Sequence, residues 1–175
     1  MGCPKALLDA AGATFLSRLA ATFASVGARP LAVVGAEAAR IRAAHPGVEC
    51  VENPAWASGQ FSSVQVGLRA AGAARVVVQP VDAPLLTAGA LRHFLKSASG
   101  HPAAFAAHRS APGHPVVLDP LSVEAVLSAP ASSTLAAALA ALQAVAIEVD
   151  DPWVTKNLNT PEDYAAVFGH PPRVL

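Results

Sequence analysis

The chain has 175 residues, with twelve basic and twelve acidic side chains and no net charge, and it is 53% hydrophobic but only 14% charged. About 25% charge is usual, so this composition excludes a disordered chain, and 175 residues fit a single domain spanning 1–175. Balanced, scattered charge excludes nucleic acid and an anionic membrane surface as partners, while Cys3 and Cys50, far apart and outside any C-x-x-C spacing, fit a reduced, cytoplasmic protein.

The opening residues lead into Ala6-Leu7-Leu8, but Asp9 interrupts the apolar stretch and excludes a signal peptide. Gly2 lacks the myristoylation context, because Pro4 and Ala6 miss the pattern. Residues 14–26 place Phe15, Leu16, Leu19, Phe23 and Val26 on one stripe, predicting a helix that Gly27 ends. A buried strand over 31–35, a short helix over 37–44 and a strand over 48–52 follow. Ser62 and Ser63 can cap a helix over 62–71. Residues 75–81 have the β-branched density of a central strand, and 87–97 form the next helix. Weaker strands are expected at 103–108, 115–118 and 144–149, with an alanine-driven helix at 134–142. The uncharged stretch 125–147 is long enough to span a bilayer. It is mostly alanine, however, and carries Pro130, Ser132, Ser133, Thr134 and Gln143, so no membrane span is expected. Thr160-Pro161-Glu162-Asp163 is a strong helix start: Thr caps, Pro suits the first position, and two acids meet the dipole. Strands alternating with helices predict βαβ units, hence an α/β fold with a mostly parallel sheet covered on both faces.

Several segments could carry chemistry. Val76 to Pro84 (VVVQPVDAP) delivers Asp82 to the carboxyl end of an apolar strand, where open α/β sheets bind ligands and one carboxylate can hold a divalent cation; the alternative is a turn aspartate that caps the next helix. Lys5 can neutralise phosphates as a flexible point charge, or stand as an ordinary solvated lysine. The polar loop from Asn53 to Ser63 enters a helix; Gly59 permits close backbone approach, and Gln60, Ser62 and Ser63 offer donors and acceptors to a base or ribose, or merely cap. Asn159 places an amide oxygen before a capped helix, able to share a cation with a carboxylate. His114, in Gly113-His114-Pro115, could contact a phosphate or be structural, and Asp150-Asp151 could be a second acidic site but reads better as a solvated turn. Walker A, GxGxxG, GxSxG, HExxH and zinc spacings are all absent from the sequence.

Taken in order, these segments resemble the nucleotidyltransferases of molybdenum-cofactor biosynthesis. Met1-Gly2-Cys3-Pro4-Lys5-Ala6-Leu7-Leu8 matches the end of that family's LAGGxSxRMGxxKxLL pattern. Asn53 to Leu68 looks like NPxWxxGxxSSxxxGL of the cytidylyltransferase branch. PVDAPL at 80–85 matches PxDxPL, Gly113 to Val116 matches GHPV, and NLNTPEDY at 157–164 looks like the closing motif, in a form nearer the guanylyltransferase branch. The resemblance implies a Rossmann-like, GT-A type, three-layer α/β/α nucleotidyltransferase fold. It also implies transfer of CMP or GMP from CTP or GTP to a phosphate acceptor such as molybdopterin, with Mg²⁺ as the metal. By the same match Lys5 and Asp82 would be catalytic, Asp82 and Asn159 would hold the metal, and Lys5, Asn53, Gly59, Gln60, Ser62, Ser63 and Asp82 would line the nucleotide site. His114 would face the acceptor. Because Met1 aligns with the methionine of RMG, the family's first strand and LAGGxSxR loop have no counterpart in this sequence. The neighbours of that central strand are then expected to lose a ladder partner or close up, leaving a marginally stable, poorly soluble chain. The competing readings are a nucleotidyltransferase for a sugar phosphate or other small phosphate, a non-catalytic remnant that lacks the phosphate-binding loop, and a longer protein whose true start lies upstream of Met1.

Overall fold

The computed structural model describes residues 3–72 and 75–175; Met1 and Gly2, which open the MGCPK match, lie outside them. Seven α-helices and six strands are described. Helix α1 (Phe15–Ala24) starts where Thr14 accepts a hydrogen bond from the Ser17 amide, and it buries Phe15, Leu19 and Phe23 four residues apart. Strand β1 (Leu31–Val34), helix α2 (Ala38–Ala44) and strand β2 (Glu49–Glu52) follow. Next come α3 (Gln60–Ala71), β3 (Val76–Val78) and α4 (Ala88–Ser97). The chain continues through β4 (Ala103–His108), β5 (Ala111–Leu118), α5 (Pro120–Ser128), α6 (Leu135–Ala141), β6 (Val145–Glu148) and α7 (Pro161–Phe168).

Helices cover both faces of the four-stranded sheet β3-β5-β4-β6. On one face Leu19, Phe23, Leu91 and Phe94 of α1 and α4 pack on Ala104, Ala106 and Val117. On the other, Phe61, Leu68, Val123, Val126 and Ala138 of α3, α5 and α6 pack on Ala103, Val116 and Leu118. Each large side chain so buried stabilises the fold by about 1.5–3 kcal/mol against exposure. The expected three-layer α/β/α arrangement is therefore present.

The sheet is partly rather than mostly parallel. Two of the four pairings, β1 with β2 and β4 with β6, are parallel, whereas β5 runs antiparallel to both β3 and β4. The cause is a tight hairpin: Arg109 and Ser110, both at positive φ (50° and 65°), turn β4 directly into β5. Strand β5 thus begins at Ala111 rather than 115 and carries His114 inside it. The sheet is also divided, as expected where the neighbours of the unmatched central strand lose a ladder partner. Among the described residues β1 pairs only with β2, and β3 only with β5, so two separate sheets face each other. Helix α5 also goes beyond the sequence reading, although Asp119-Pro120 builds its start, with Asp119 accepting from the Ser122 amide. Asp151 is buried rather than solvated: it caps the 3-10 turn Pro152–Thr155 and accepts from Thr87. No described helix is long and apolar enough to cross a membrane, and Cys50 is in no disulfide.

Candidate functional site

Three distant segments converge on Lys5. The 3-10 turn Lys5–Leu7 presents its amine to Asp82 Oδ2 at 3.2 Å and to Asn159 Oδ1 at 2.6 Å. Each segment is fixed by its own local chemistry. Asp82 follows β3 in a proline-bounded turn that Gln79 Nε2 closes by donating to the Ala83 carbonyl. The Asp82 carbonyl accepts from the Leu158 amide at 2.7 Å, which ties the closing motif to this turn. Asn159 is held by Asp163, whose Oδ2 accepts from the Asn159 and Thr160 amides while Thr160 caps Asp163 in return. Those backbone amides hold the Asp163 carboxyl below its ordinary value.

The Lys5–Asp82 pair is partly shielded, with side chains 27% and 19% exposed. Asp82 Oδ1 is buried and has no hydrogen-bond partner, and the same holds for His114 Nδ1 and Gln79 Oε1. Burial pushes the His114 imidazole below the usual histidine value, and the Asp82 carboxylate opposes that shift. His114 therefore lies within the electrostatic reach of Asp82. Its neighbour Gly113 is required sterically: a Cβ there would sit 2.1 Å from the Val154 carbonyl oxygen.

A cavity of about 1210 Å³ opens beside this group. Lys5, Gly59, Gln60, Ser63, Gln79 and His114 are among the polar and glycine residues that line it. Gly59 stands at φ 111° and begins α3 without a side-chain cap, leaving the first amides of the helix free toward an anion. Ser62 and Ser63 sit inside the first turn of α3 rather than ahead of it, because the helix starts at Gln60. Asn53 is 1% exposed and does not line the cavity. Its Nδ2 donates to Ser62 and Ser63 at 2.9 Å each, and its Oδ1 accepts from the Ala55 amide. Ser62 in turn donates to the Gly59 and Ala55 carbonyls. Asn53 and Ser62 thus shape the loop, whereas Gly59, Gln60 and Ser63 face the cavity.

Gln79 is the residue that sequence reasoning passed over. Its signal was present, a single polar side chain inside the apolar run VVVQPV. A metal fits what the chain offers. The orphaned Asp82 Oδ1 and the Asn159 amide oxygen are hard oxygen donors, and a magnesium-type ion takes one or two protein oxygens and fills its sphere with phosphate and water. Among the described residues no cluster of three His, Cys, Asp or Glu could cage a metal alone.

A family model described as the MobA-like NTP transferase domain matches residues 1–157. No curated protein matches the sequence. Among solved structures, the chain is similar to Rv0371c from Mycobacterium tuberculosis H37Rv, with 20% identity, 97% of this chain and 92% of that one covered, and a TM-score of 0.81. A structure titled as an Rv0371c complex with manganese also matches, with 19% identity, 97% and 94% coverage and a TM-score of 0.76. Molybdopterin-guanine dinucleotide biosynthesis protein A from Archaeoglobus fulgidus gives 16% identity, 95% and 89% coverage and a TM-score of 0.70. At these identities the structural likeness speaks for the fold.

Proposed function

This chain belongs to the MobA-like NTP transferase domain family, and from that premise we propose that it transfers a CMP or GMP moiety from CTP or GTP to a terminal phosphate of molybdopterin, releasing pyrophosphate. The observation that carries the reading is the meeting of Lys5, which lines the cavity, with Asp82 and Asn159. A phosphate oxygen of the acceptor attacks the α-phosphorus, the bond to the β-phosphate breaks, and the electron pair leaves with pyrophosphate. No enzyme nucleophile is needed, so the residues act by positioning and charge neutralisation.

Lys5 carries the positive charge that the triphosphate meets, and it is partly exposed so that its amine can leave Asn159 for a phosphate oxygen. Gly59 and the uncapped start of α3 offer backbone amides to the same anion. Gln60 and Ser63 read the nucleoside side of the cavity. Asp82 Oδ1 and Asn159 would hold the divalent cation, Mg²⁺ in this reading, which supplies charge neutralisation across the phosphates when bound. His114 is kept neutral by its burial, so it approaches the acceptor as a hydrogen-bonding group rather than a second cation.

The test is pyrophosphate release from CTP or GTP with Mg²⁺ and molybdopterin. Asp82→Ala is expected to lower turnover by about 100-fold or more, the usual scale for a lost charge-stabilising group. Wild-type turnover retained by Asp82→Ala would sink the assignment. A structural match to a 4-diphosphocytidyl-2C-methyl-D-erythritol synthase, at 18% identity and a TM-score of 0.69, favours one second reading, a small organic phosphate as acceptor. Exchanging the acceptor in the same assay separates the two. Calorimetric absence of binding to any NTP with Mg²⁺ would leave the non-catalytic alternative.

A further inference from the structure

Lys5 stands in a short 3-10 turn, Lys5–Leu7, that begins without a side-chain cap. So short a turn has little persistence of its own, and the aim of the Lys5 amine must be set from outside it. Further along the same segment Asp9 is fully buried. Its Oδ1 accepts from the Gly12 amide and its Oδ2 from Arg173 Nε at 2.6 Å. Burying a carboxylate is costly, and apolar packing in its place would hold the fold about as well. What the pair adds is direction, because the planar guanidinium fixes where its carboxylate sits. The backbone is gripped as well. The Asp9 amide donates to the Arg173 carbonyl at 2.9 Å, the Tyr164 hydroxyl donates to the Asp9 carbonyl at 2.7 Å, and the Leu175 amide donates to the Leu7 carbonyl at 3.2 Å.

The same stretch of chain holds the other end of the lysine. Asn159 Oδ1 takes the Lys5 amine at 2.6 Å, and the Leu158 amide ties down the Asp82 carbonyl at 2.7 Å. Between the two grips runs α7, stiffened by its capping box and by the rings of Tyr164 and Phe168, whose centroids lie 4.6 Å apart. Asp9, Tyr164 and Arg173 are not among the residues that line the cavity, so any influence they have on it passes through the Lys5 turn. We propose that Arg173, acting through Asp9, is a positioning residue for Lys5, and that residues 158–175 set the placement of the Lys5 amine against the Asp82 carboxylate. On the transfer reading above, an amine released from this setting meets the triphosphate out of place, and turnover falls. That consequence rests on the proposed reaction; the placement of Lys5 does not.

The experiment uses the full chain and reads Lys5 directly. Lys5, Lys96 and Lys156 are the lysines of the sequence. Acetylation by limiting acetic anhydride, measured residue by residue by mass spectrometry, therefore gives the Lys5 rate against internal standards. Arg173→Ala is expected to raise the Lys5 rate relative to Lys96 about tenfold, the scale of a lost hydrogen bond to a charged group. Tyr164→Phe keeps the ring and loses only the bond to Asp9, so it serves even if Arg173→Ala folds poorly; its expected rise is about threefold. Val126→Ala opens a different core cluster, under α5, and controls for lost stability alone; it should leave the ratio unchanged. In pyrophosphate release from CTP or GTP, Arg173→Ala is expected to lower kcat/KM about tenfold, and Val126→Ala to keep the wild-type value. An unchanged Lys5 ratio in Arg173→Ala and Tyr164→Phe would overturn the proposal. So would an equal rise in Val126→Ala, which would reduce the contacts of Arg173 to a contribution to stability. Wild-type kcat/KM in Arg173→Ala would overturn it as well. A wild-type chain that releases no pyrophosphate, with variants that label as expected, would instead sink the transfer reading and leave the positioning of Lys5 standing.

Discussion

Asn53 and Gln60 lie seven residues apart in one loop, and the sequence offers both as nucleotide contacts. The fold separates them. Asn53 is turned inward, and its amide is fully engaged by two serine hydroxyls and a backbone amide. Gln60 is exposed and lines the cavity. Asn53→Ala leaves those buried partners unmet and is expected to lower stability by about 1–3 kcal/mol. Gln60→Ala should leave the melting temperature unchanged and raise KM for the nucleotide. Thermal melts of the two variants check the division, and equal melting would contradict it. Gly113 makes the same point more sharply. It stands beside His114 in the GHPV match, and a Cβ there would strike the Val154 carbonyl. Gly113→Ala is expected to cost roughly 1–3 kcal/mol through the overpacking it forces, read as a lower urea midpoint at unchanged slope. The residue types of the site were legible in the sequence because charge and polarity stand out from an alanine-rich background. The direction each side chain faces was not, because it depends on where α3 begins and on how closely the 3-10 turn at Val154 approaches.

At the scale of elements, the legible features were those encoded locally. The start of α7 could be read outright from Thr160 to Asp163, and the capping box is present. What α7 holds could not be read, since its partners lie over 150 residues away. Tyr164 is fully buried and donates to the Asp9 carbonyl at 2.7 Å. Asp9, also fully buried, accepts from the Gly12 amide and from Arg173 Nε. Val174 bridges Leu8, and the Leu175 amide donates to Leu7. The C-terminal residues thus clasp the segment that carries Lys5. The Gly12 amide, aided by Arg173, lowers the Asp9 carboxyl below its ordinary value despite the opposing effect of burial. The unfolded value is near 3.9, so the stabilisation from Asp9 is fully present above that pH and is lost as pH falls through the folded value. Arg173→Ala is expected to destabilise the chain by on the order of 1–3 kcal/mol at neutral pH, the scale of a hydrogen bond to a charged group. Asp9→Asn should flatten the loss of melting temperature between about pH 4 and pH 2. An unaltered acid profile in Asp9→Asn would show that the clasp does not titrate. The hairpin at Arg109-Ser110 was hidden for a different reason: neither residue is among those that normally mark a two-residue turn, and only the pairing of β4 with β5 enforces their positive φ.

For the molecule as a whole, the α/β class and its three layers follow from the alternation of strand and helix patterns, and the division of the sheet follows from the central strand that the motif match leaves without a counterpart, whereas the antiparallel course of β5 depends on a hairpin that no local pattern encodes. The division has an energetic consequence. The four-stranded sheet is locked by three ladders and by large apolar clusters on both faces. Among the described residues no ladder joins the β1–α2–β2 unit to it. Its attachments include side-chain packing of Val34, Ala38 and Ile41 on Ala6 and Leu7, the hydrogen bond between His45 and Thr14, and the seat of α3, where Gly67 lets the helix approach Val33 closely. Backbone hydrogen bonds across a sheet make neighbouring strands open together, so without one the smaller unit can open while the larger stays folded. Residues 31–34 and 49–52 are therefore expected to exchange their amide hydrogens at least about tenfold faster than residues 103–107 and 116–118 under native conditions. Increasing denaturant should leave the fast set nearly flat before global unfolding engulfs it, because opening the smaller unit exposes less surface. The opened unit would bare Val33, Val34 and the valines of β3, so a dye that binds exposed apolar surface should report the same partial opening before the main melt. If both sets of amides exchange with one free energy and one denaturant slope, the two sheets unfold as a single cooperative body, and packing through α3 alone couples them as firmly as a ladder would.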